Sequence, residues 1–190
     1  YRRQRQMCIR DRNYTFNNRC FIDQSNKLWA VTPLSLRRYN SSTLALEDSI
    51  PMQGIFPTHF FMHTNGILWL AGNRQITLFD THTHKFKETP QALRSHPLLL
   101  HANVNYIHPY GSNSLLLNTD QQGMFLYNYV EGYVIHQSEN GFPFEVPHFK
   151  ISTMFTDSQK NLWIGSVDQG YVVRYNYKER FNTNNHLSSY

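Results

Sequence analysis

A seven-residue phrase recurs along this chain, and its spacing constrains the fold more than any other feature. Asp23-Gln-Ser-Asn-Lys-Leu28-Trp29 returns as His63-Thr-Asn-Gly-Ile-Leu68-Trp69 and as Asp157-Ser-Gln-Lys-Asn-Leu162-Trp163. Each is followed by an aromatic residue plus Asn or Asp: Tyr39-Asn40, Phe79-Asp80 and Tyr175-Asn176. A degenerate copy between the second and third has Leu115-Leu116 in place of Leu-Trp and closes on Tyr127-Asn128. The Leu-Trp positions advance by 40, 47 and 47 residues, within the range of periods that mark solenoids, propellers and arrays.

Inside each copy the pattern is that of short strands. In the last, Ile151 to Thr156 alternates, Asp157 to Asn161 supplies turn formers, Leu162 to Ser166 is a second strand, and Asp168-Gln-Gly170 turns the chain. Tyr171 to Tyr175 is a third strand and Phe181 belongs to a fourth. Aromatic and β-branched runs bounded by Asn, Asp, Gly and Ser are hairpin signals. No ten-residue stretch carries a 3.6-residue period, so almost no helix is expected.

One such sheet exposes two faces and cannot bury enough apolar surface to be stable alone. Radial stacking of twisted sheets solves this and leaves only short edges. The expected fold is therefore all-β: a partial β-propeller of about four blades of four-stranded antiparallel sheet, at roughly 13–50, 55–95, 100–140 and 146–185. Trp29, Trp69 and Trp163 are expected to pack between blades, each with one N–H to satisfy. Asp23 and Asp157 are expected to bond the backbone of their own turns. Neither heads a calcium loop, because the bidentate Glu such a loop needs is absent and both runs contain Lys.

The first twelve residues read differently. Met7-Cys8-Ile9-Arg10-Asp11 resembles a translation of ATG TGT ATA AGA GAC, a transposon end used in sequencing libraries, so residues 1–12 are expected to be a non-native tail without packed contacts. The net charge of +5 comes from 18 Lys+Arg against 13 Asp+Glu. Residues 1–12 hold five of those Arg and one of those Asp, which leaves 13 against 12 for residues 13–190. A basic footprint for nucleic acid is thus not expected. Cys20 remains alone and is expected to act as a small buried hydrophobe. No apolar run approaches the ~18 residues of a membrane span.

The motif Asn161-Leu-Trp-Ile-Gly165-Ser166, with Gly170-Tyr-Val-Val-Arg174-Tyr175-Asn176, closely resembles the repeat of the two-component regulator propeller family. Asn65-Gly66-Ile-Leu-Trp-Leu-Ala-Gly72 and Asn26-Lys-Leu-Trp-Ala-Val-Thr32 are similar to it in part, and Leu115 to Tyr127 in outline. The resemblance implies an open arc of a seven-bladed ring, in a chain that continues beyond Tyr190. It also implies a periplasmic ectodomain of an inner-membrane sensor, joined through a transmembrane helix to a histidine kinase whose catalytic domains are absent here. It implies glycan-derived signals, an oligosaccharide ligand, packing on a second propeller and a homodimeric parent.

Catalytic motifs are missing: there is no Gly-x-Ser-x-Gly elbow, no Cys-His signature and no phosphate-binding Gly loop. No catalytic residue, cofactor or metal is assigned, and His82-Thr-His84 is read as an exposed turn. Ligand contact is expected at the second-to-third strand turns, Arg74, Gln75, Asp120, Gln121, Asp168 and Gln169. Residues before each first strand, Phe56, His101, Phe142 and Phe144, are expected to gather at the same end of the ring, because loops on rigid scaffolds carry binding. Two alternatives stay open. One is a propeller enzyme acting on polysaccharide, a lyase or glycosidase, which needs a carboxylate pair or a His/Tyr/Arg set. The other is a protein-interaction scaffold of the WD-repeat kind.

Overall fold

The computed structural model describes residues 19–174, apart from 64, 73, 147–149 and 167–169. The tail at 1–12, Tyr175-Asn176 and Phe181 lie outside these residues.

Fifteen described strands form four antiparallel meanders in chain order. Blade one holds β1 (Arg19–Ile22), β2 (Lys27–Val31), β3 (Ser35–Asn40) and β4 (Leu46–Pro51). Blade two holds β5 (His59–Met62), β6 (Ile67–Gly72), β7 (Gln75–Asp80) and β8 (Lys85–Lys87). Blade three holds β9 (Val104–Tyr110), β10 (Ser114–Thr119), β11 (Met124–Asn128) and β12 (Tyr133–His136). Blade four has three described strands, β13 (Thr153–Thr156), β14 (Leu162–Gly165) and β15 (Tyr171–Arg174). The blades form an open arc.

Successive side chains on a strand point to opposite faces, and this parity decides which neighbour each residue serves. On β6, Leu68 and Leu70 pack with Trp29, Val31 and Leu36 of blade one. Trp69 and Ala71 pack instead with Ile107, Leu115, Leu117 and Phe125 of blade three. On β10, Leu116 turns the other way and joins Met154, Leu162 and Ile164 of blade four. A strand covered on both faces reads as a continuous apolar run, which is why Leu115-Leu116-Leu117 can stand where the other copies have Leu-Trp.

The recurring Asp has two tasks. Asp23 Oδ1 accepts from the Ser25 and Lys27 amides at 2.9 Å, and its Oδ2 accepts from the Trp29 indole N–H at 2.7 Å. Asp157 repeats this with the Gln159 and Asn161 amides at 2.9 Å and the Trp163 indole at 2.9 Å. One carboxylate therefore closes the turn and also fixes the tryptophan. The indole bond, followed by bonds from Asn161 and Gln159, holds the Asp157 carboxyl below its ordinary value against the opposing effect of burial. The fourth residue of each turn is left-handed: Asn26 at φ 57°, Gly66 at 83°, Lys160 at 65°. The Gly-or-Asn preference there follows from that backbone. In blade two His63 takes the Asp place, its Nδ1 accepting from the Asn65 amide at 3.2 Å while its ring meets Tyr129 of blade three edge-on at 5.1 Å.

Two details differ from the sequence expectation of an exposed His82-Thr-His84 turn and a buried Cys20, and a third adds to the expected fold without overturning it. Residues 88–103, between blades two and three, include a helix α1 (Gln91–Ser95) and a 3-10 turn (Leu99–His101). At five residues α1 is too short to show a period, yet it buries Leu93, and the turn buries Leu99, in the core between those blades. His84 is not simply exposed, because it reaches back to blade one. Its Nε2 lies 2.6 Å from Arg38 Nη1, its Nδ1 lies 3.1 Å from Asp48 Oδ2, and its ring stands edge-on to Trp29. Cys20 is half-buried rather than buried, since it alternates with Phe21 and faces away from blade two.

Candidate ligand-binding face

The second-to-third strand turns of blades two and three lie at the same end of the arc, where the chain also enters each blade. In blades two and four the entering segment is tied to the end of its own second strand. The Thr58 amide donates to the Ala71 carbonyl at 2.8 Å, and the Ser152 amide to the Gly165 carbonyl at 2.9 Å. Blade two makes the closest approach. A Cβ added to Gly72 would sit 2.1 Å from the Phe56 carbonyl oxygen, so only glycine lets the entering chain pass. That passage leaves the Phe56 side chain 51% exposed beside the turn.

Asn103 joins the two turns. Its Oδ1 accepts from the Arg74 amide at 2.8 Å, and its Nδ2 donates to Asp120 Oδ2 at 3.0 Å. Its own amide donates to Asp120 Oδ1 at 3.3 Å, while the Asp120 amide returns a bond to the Asn103 carbonyl at 3.1 Å. Arg74 is held at φ 58° and is exposed, as are Gln75, Asp120, Gln121 and His101. The result is a fixed polar ridge with a cation at one side, a carboxylate at the other and amides between. Such a ridge can donate to and accept from a hydroxylated or amide-bearing ligand without reorganising.

Not every expected residue joins it. Asp168 and Gln169 lie outside the described residues. Phe142 and Phe144 are taken up by packing: they meet each other edge-on at 5.2 Å, Phe144 meets Tyr110 at 5.8 Å, and both lie against the core between blades three and four. Both are half-buried, so part of their aromatic surface covers that interface. Asn103 stands outside the expected set, because nothing local distinguishes an Asn before a strand from an ordinary loop residue.

Acid–base properties elsewhere follow from burial and pairing. The Asp80 carboxyl is held low by a bond from Lys87 and by the Thr83 and His82 amides, burial opposing. His108, whose Nε2 lies 2.8 Å from Thr156 Oγ1 of blade four, is pushed down to about 4 by burial. Among the described residues, no group of three or more His, Cys, Asp or Glu side chains is placed to hold a metal ion. No described helix is long and apolar enough to cross a membrane.

No family description and no curated protein matches the chain. Solved structures do. The extracellular domain of the proposed one component system BT4673 from B. thetaiotaomicron aligns with a TM-score of 0.60 at 20% identity, over 86% of this chain and 22% of that one. A second structure of BT4673, there described as a hybrid two component system, gives 0.59 at 20% identity over 81% and 20%. The extracellular domain of the proposed hybrid two component system BT3049 from the same organism gives 0.57 at 17% identity over 82% and 19%. The chain thus spans about a fifth of each of these extracellular domains, and what it shares with them is the fold, an open run of four antiparallel sheets.

Proposed function

We propose that this chain is part of the ligand-sensing, periplasmic propeller region of a two-component sensor histidine kinase that responds to glycan-derived signals. The observation that carries the reading is the fold shared with sensor extracellular domains over 86% of the chain. The polar ridge of Arg74, Asn103 and Asp120 supports it, because hydroxyl-rich ligands are recognised by fixed arrays of amides and charges on a rigid scaffold. Signalling requires that ligand bind one arrangement of the propellers more tightly than another and so shift the population of the kinase dimer. The parent is a homodimer in this reading, with further blades and a second propeller packed against the arc.

Two measurements test it together. The coding sequence flanking these residues should specify a membrane helix followed by a kinase. The complete ectodomain should bind a member of an oligosaccharide panel, and Asn103→Ala should weaken that binding at least tenfold. Depolymerisation of a polysaccharide by the ectodomain would replace the sensor with an enzyme, and flanks without a membrane helix would favour an interaction scaffold.

A further inference from the structure

A cavity of about 380 Å³ opens on the outer side of the ridge, in the wedge between blades two and three. Its volume falls within the roughly 300–1,000 Å³ of small-molecule sites. The wedge exists because radially arranged sheets diverge outward, and residues 88–103 build its far wall. Connections this long that carry structure of their own are commonly functional; residues 52–58 link blades one and two without one. The floor is aliphatic: Ile76 from β7, Leu93 from α1, Leu99 from the 3-10 turn, and Val104. Leu93, Leu99 and Val104 are 3%, 6% and 2% exposed, so they are held by the core behind them.

The rim is cationic. Arg74 and Arg94 both line the opening. The Arg74 guanidinium has no carboxylate partner among the described residues, its turn being fixed through the backbone by Asn103. Arg94 meets Glu88 at 3.3 Å and Gln91 Oε1 at 3.3 Å, with the Glu88 side chain 86% exposed. An exposed pair of this kind is worth little, so a ligand anion can take its place. Planar guanidinium groups suit carboxylates, which they bind through paired donors. No lining residue is aromatic, so the cavity offers no ring on which a sugar could stack. An aliphatic floor below a two-arginine rim fits an alkyl chain ending in a carboxylate.

We infer that this wedge is a binding site for a medium-chain aliphatic carboxylate, with Arg74 and Arg94 holding the carboxylate and Ile76, Leu93, Leu99 and Leu100 receiving the chain. The wedge shares Arg74 with the ridge, but the inference does not rest on the sensor reading, and its aliphatic floor sets its chemistry apart from that of the ridge.

Titration calorimetry of the full chain tests it with octanoate, hexanoate, octanol and glucuronate. Octanoate should bind, and shortening to hexanoate should weaken binding by about fourfold for each methylene lost. Octanol, lacking the charge, should bind at least tenfold more weakly than octanoate, and glucuronate, lacking the chain, should not bind. Arg74→Ala with Arg94→Ala should weaken octanoate at least tenfold, as should Leu100→Glu, which places a negative charge on a residue that is 51% exposed. Phe155→Ser, on the distant face of blade four, should leave octanoate binding unchanged and so exclude capture by that apolar surface. The inference is overturned if octanoate does not bind, if the arginine or Leu100 variants bind it as wild type does, if glucuronate binds as tightly, or if Phe155→Ser abolishes binding.

Discussion

Blades two and four carry the same repeat phrase in different surroundings. In blade two, β6 is covered on both sides, and Trp69 is 5% exposed between blades two and three. In blade four, Leu162 and Ile164 are buried against blade three, while Trp163, one step out of phase, is only half-buried. Its cross-strand partner Phe155 is 61% exposed. The same side chain is thus a core residue in one copy and a partly covered surface in another. The repeat specifies a blade, and the neighbours decide what the blade's residues are worth.

Truncation should separate the two blades most sharply. Trp69→Ala should cost about 3–5 kcal/mol, the range for deleting a buried aromatic side chain, whereas Trp163→Ala in this chain should cost about 1–2 kcal/mol because less apolar area is removed from cover. Urea titration of both variants checks this, and equal losses would break the comparison. Extending the chain by a further blade should raise the Trp163 value toward that of Trp69.

The glycines that end β6 and β14 sharpen it next. Gly72→Ala must displace the Phe56 backbone and should cost about 1–3 kcal/mol as an overpacking change. At Gly165 the added Cβ meets a side-chain methyl, Thr153 Cγ2, at 3.0 Å, so Gly165→Ala should cost less than about 1 kcal/mol. Thermal midpoints of the two variants, measured side by side, decide whether the entering chain is clamped in blade two alone.

Acid distinguishes the interior of the arc from its end. His108 sits between blades three and four with its pKa lowered from 6.5 to about 4. Between those values the unfolded chain takes up a proton that the native chain refuses, so the stability present above 6.5 drains away as pH falls toward 4. His108→Gln should flatten that part of the stability curve. Asp157, at the blade-four turn, acts lower on the scale. Its carboxyl is depressed below 3.8, so its contribution is present above 3.8 and disappears only as pH falls through the depressed value. Asp157→Asn should lower the urea midpoint at neutral pH and converge with wild type in strong acid; a constant gap at all pH values would mean that the carboxylate charge is irrelevant.

Much of this was legible in the residues. The repeat phrase located every described second strand, and the polar run after Asp23 or Asp157 located the turns. The left-handed fourth position could be read from Asn26 and Gly66, although Lys160 adopts it without advertising it. What could not be read was contact between blades. His84 sits in a turn by local pattern, but it finds Arg38 and Asp48 only because two sheets are stacked. Phe142 and Phe144 carry the residue type of a binding platform, and their use as cover depends on the gap between blades three and four. Asn103 is part of the ridge solely because two turns from different blades converge on it. Local chemistry marks elements, whereas the partners of a side chain depend on radial geometry that no short window contains.

The parity of the central strands has a genetic consequence. Each residue of β6 or β10 belongs to one of two interfaces by whether its place in the strand is odd or even, so losing or gaining a single codon there would exchange the two sets at a stroke. Leu68 and Leu70 would be turned toward blade three and Trp69 toward blade one, and neither gap is shaped for the substitute. Exposed loop residues carry no such parity, and where they make no core contact the length can vary at little more than the entropic cost of a longer loop. Descendants of this chain should therefore accumulate insertions and deletions between blades and substitutions within them, so that an arc built of repeats diverges by its joints while its strands keep count.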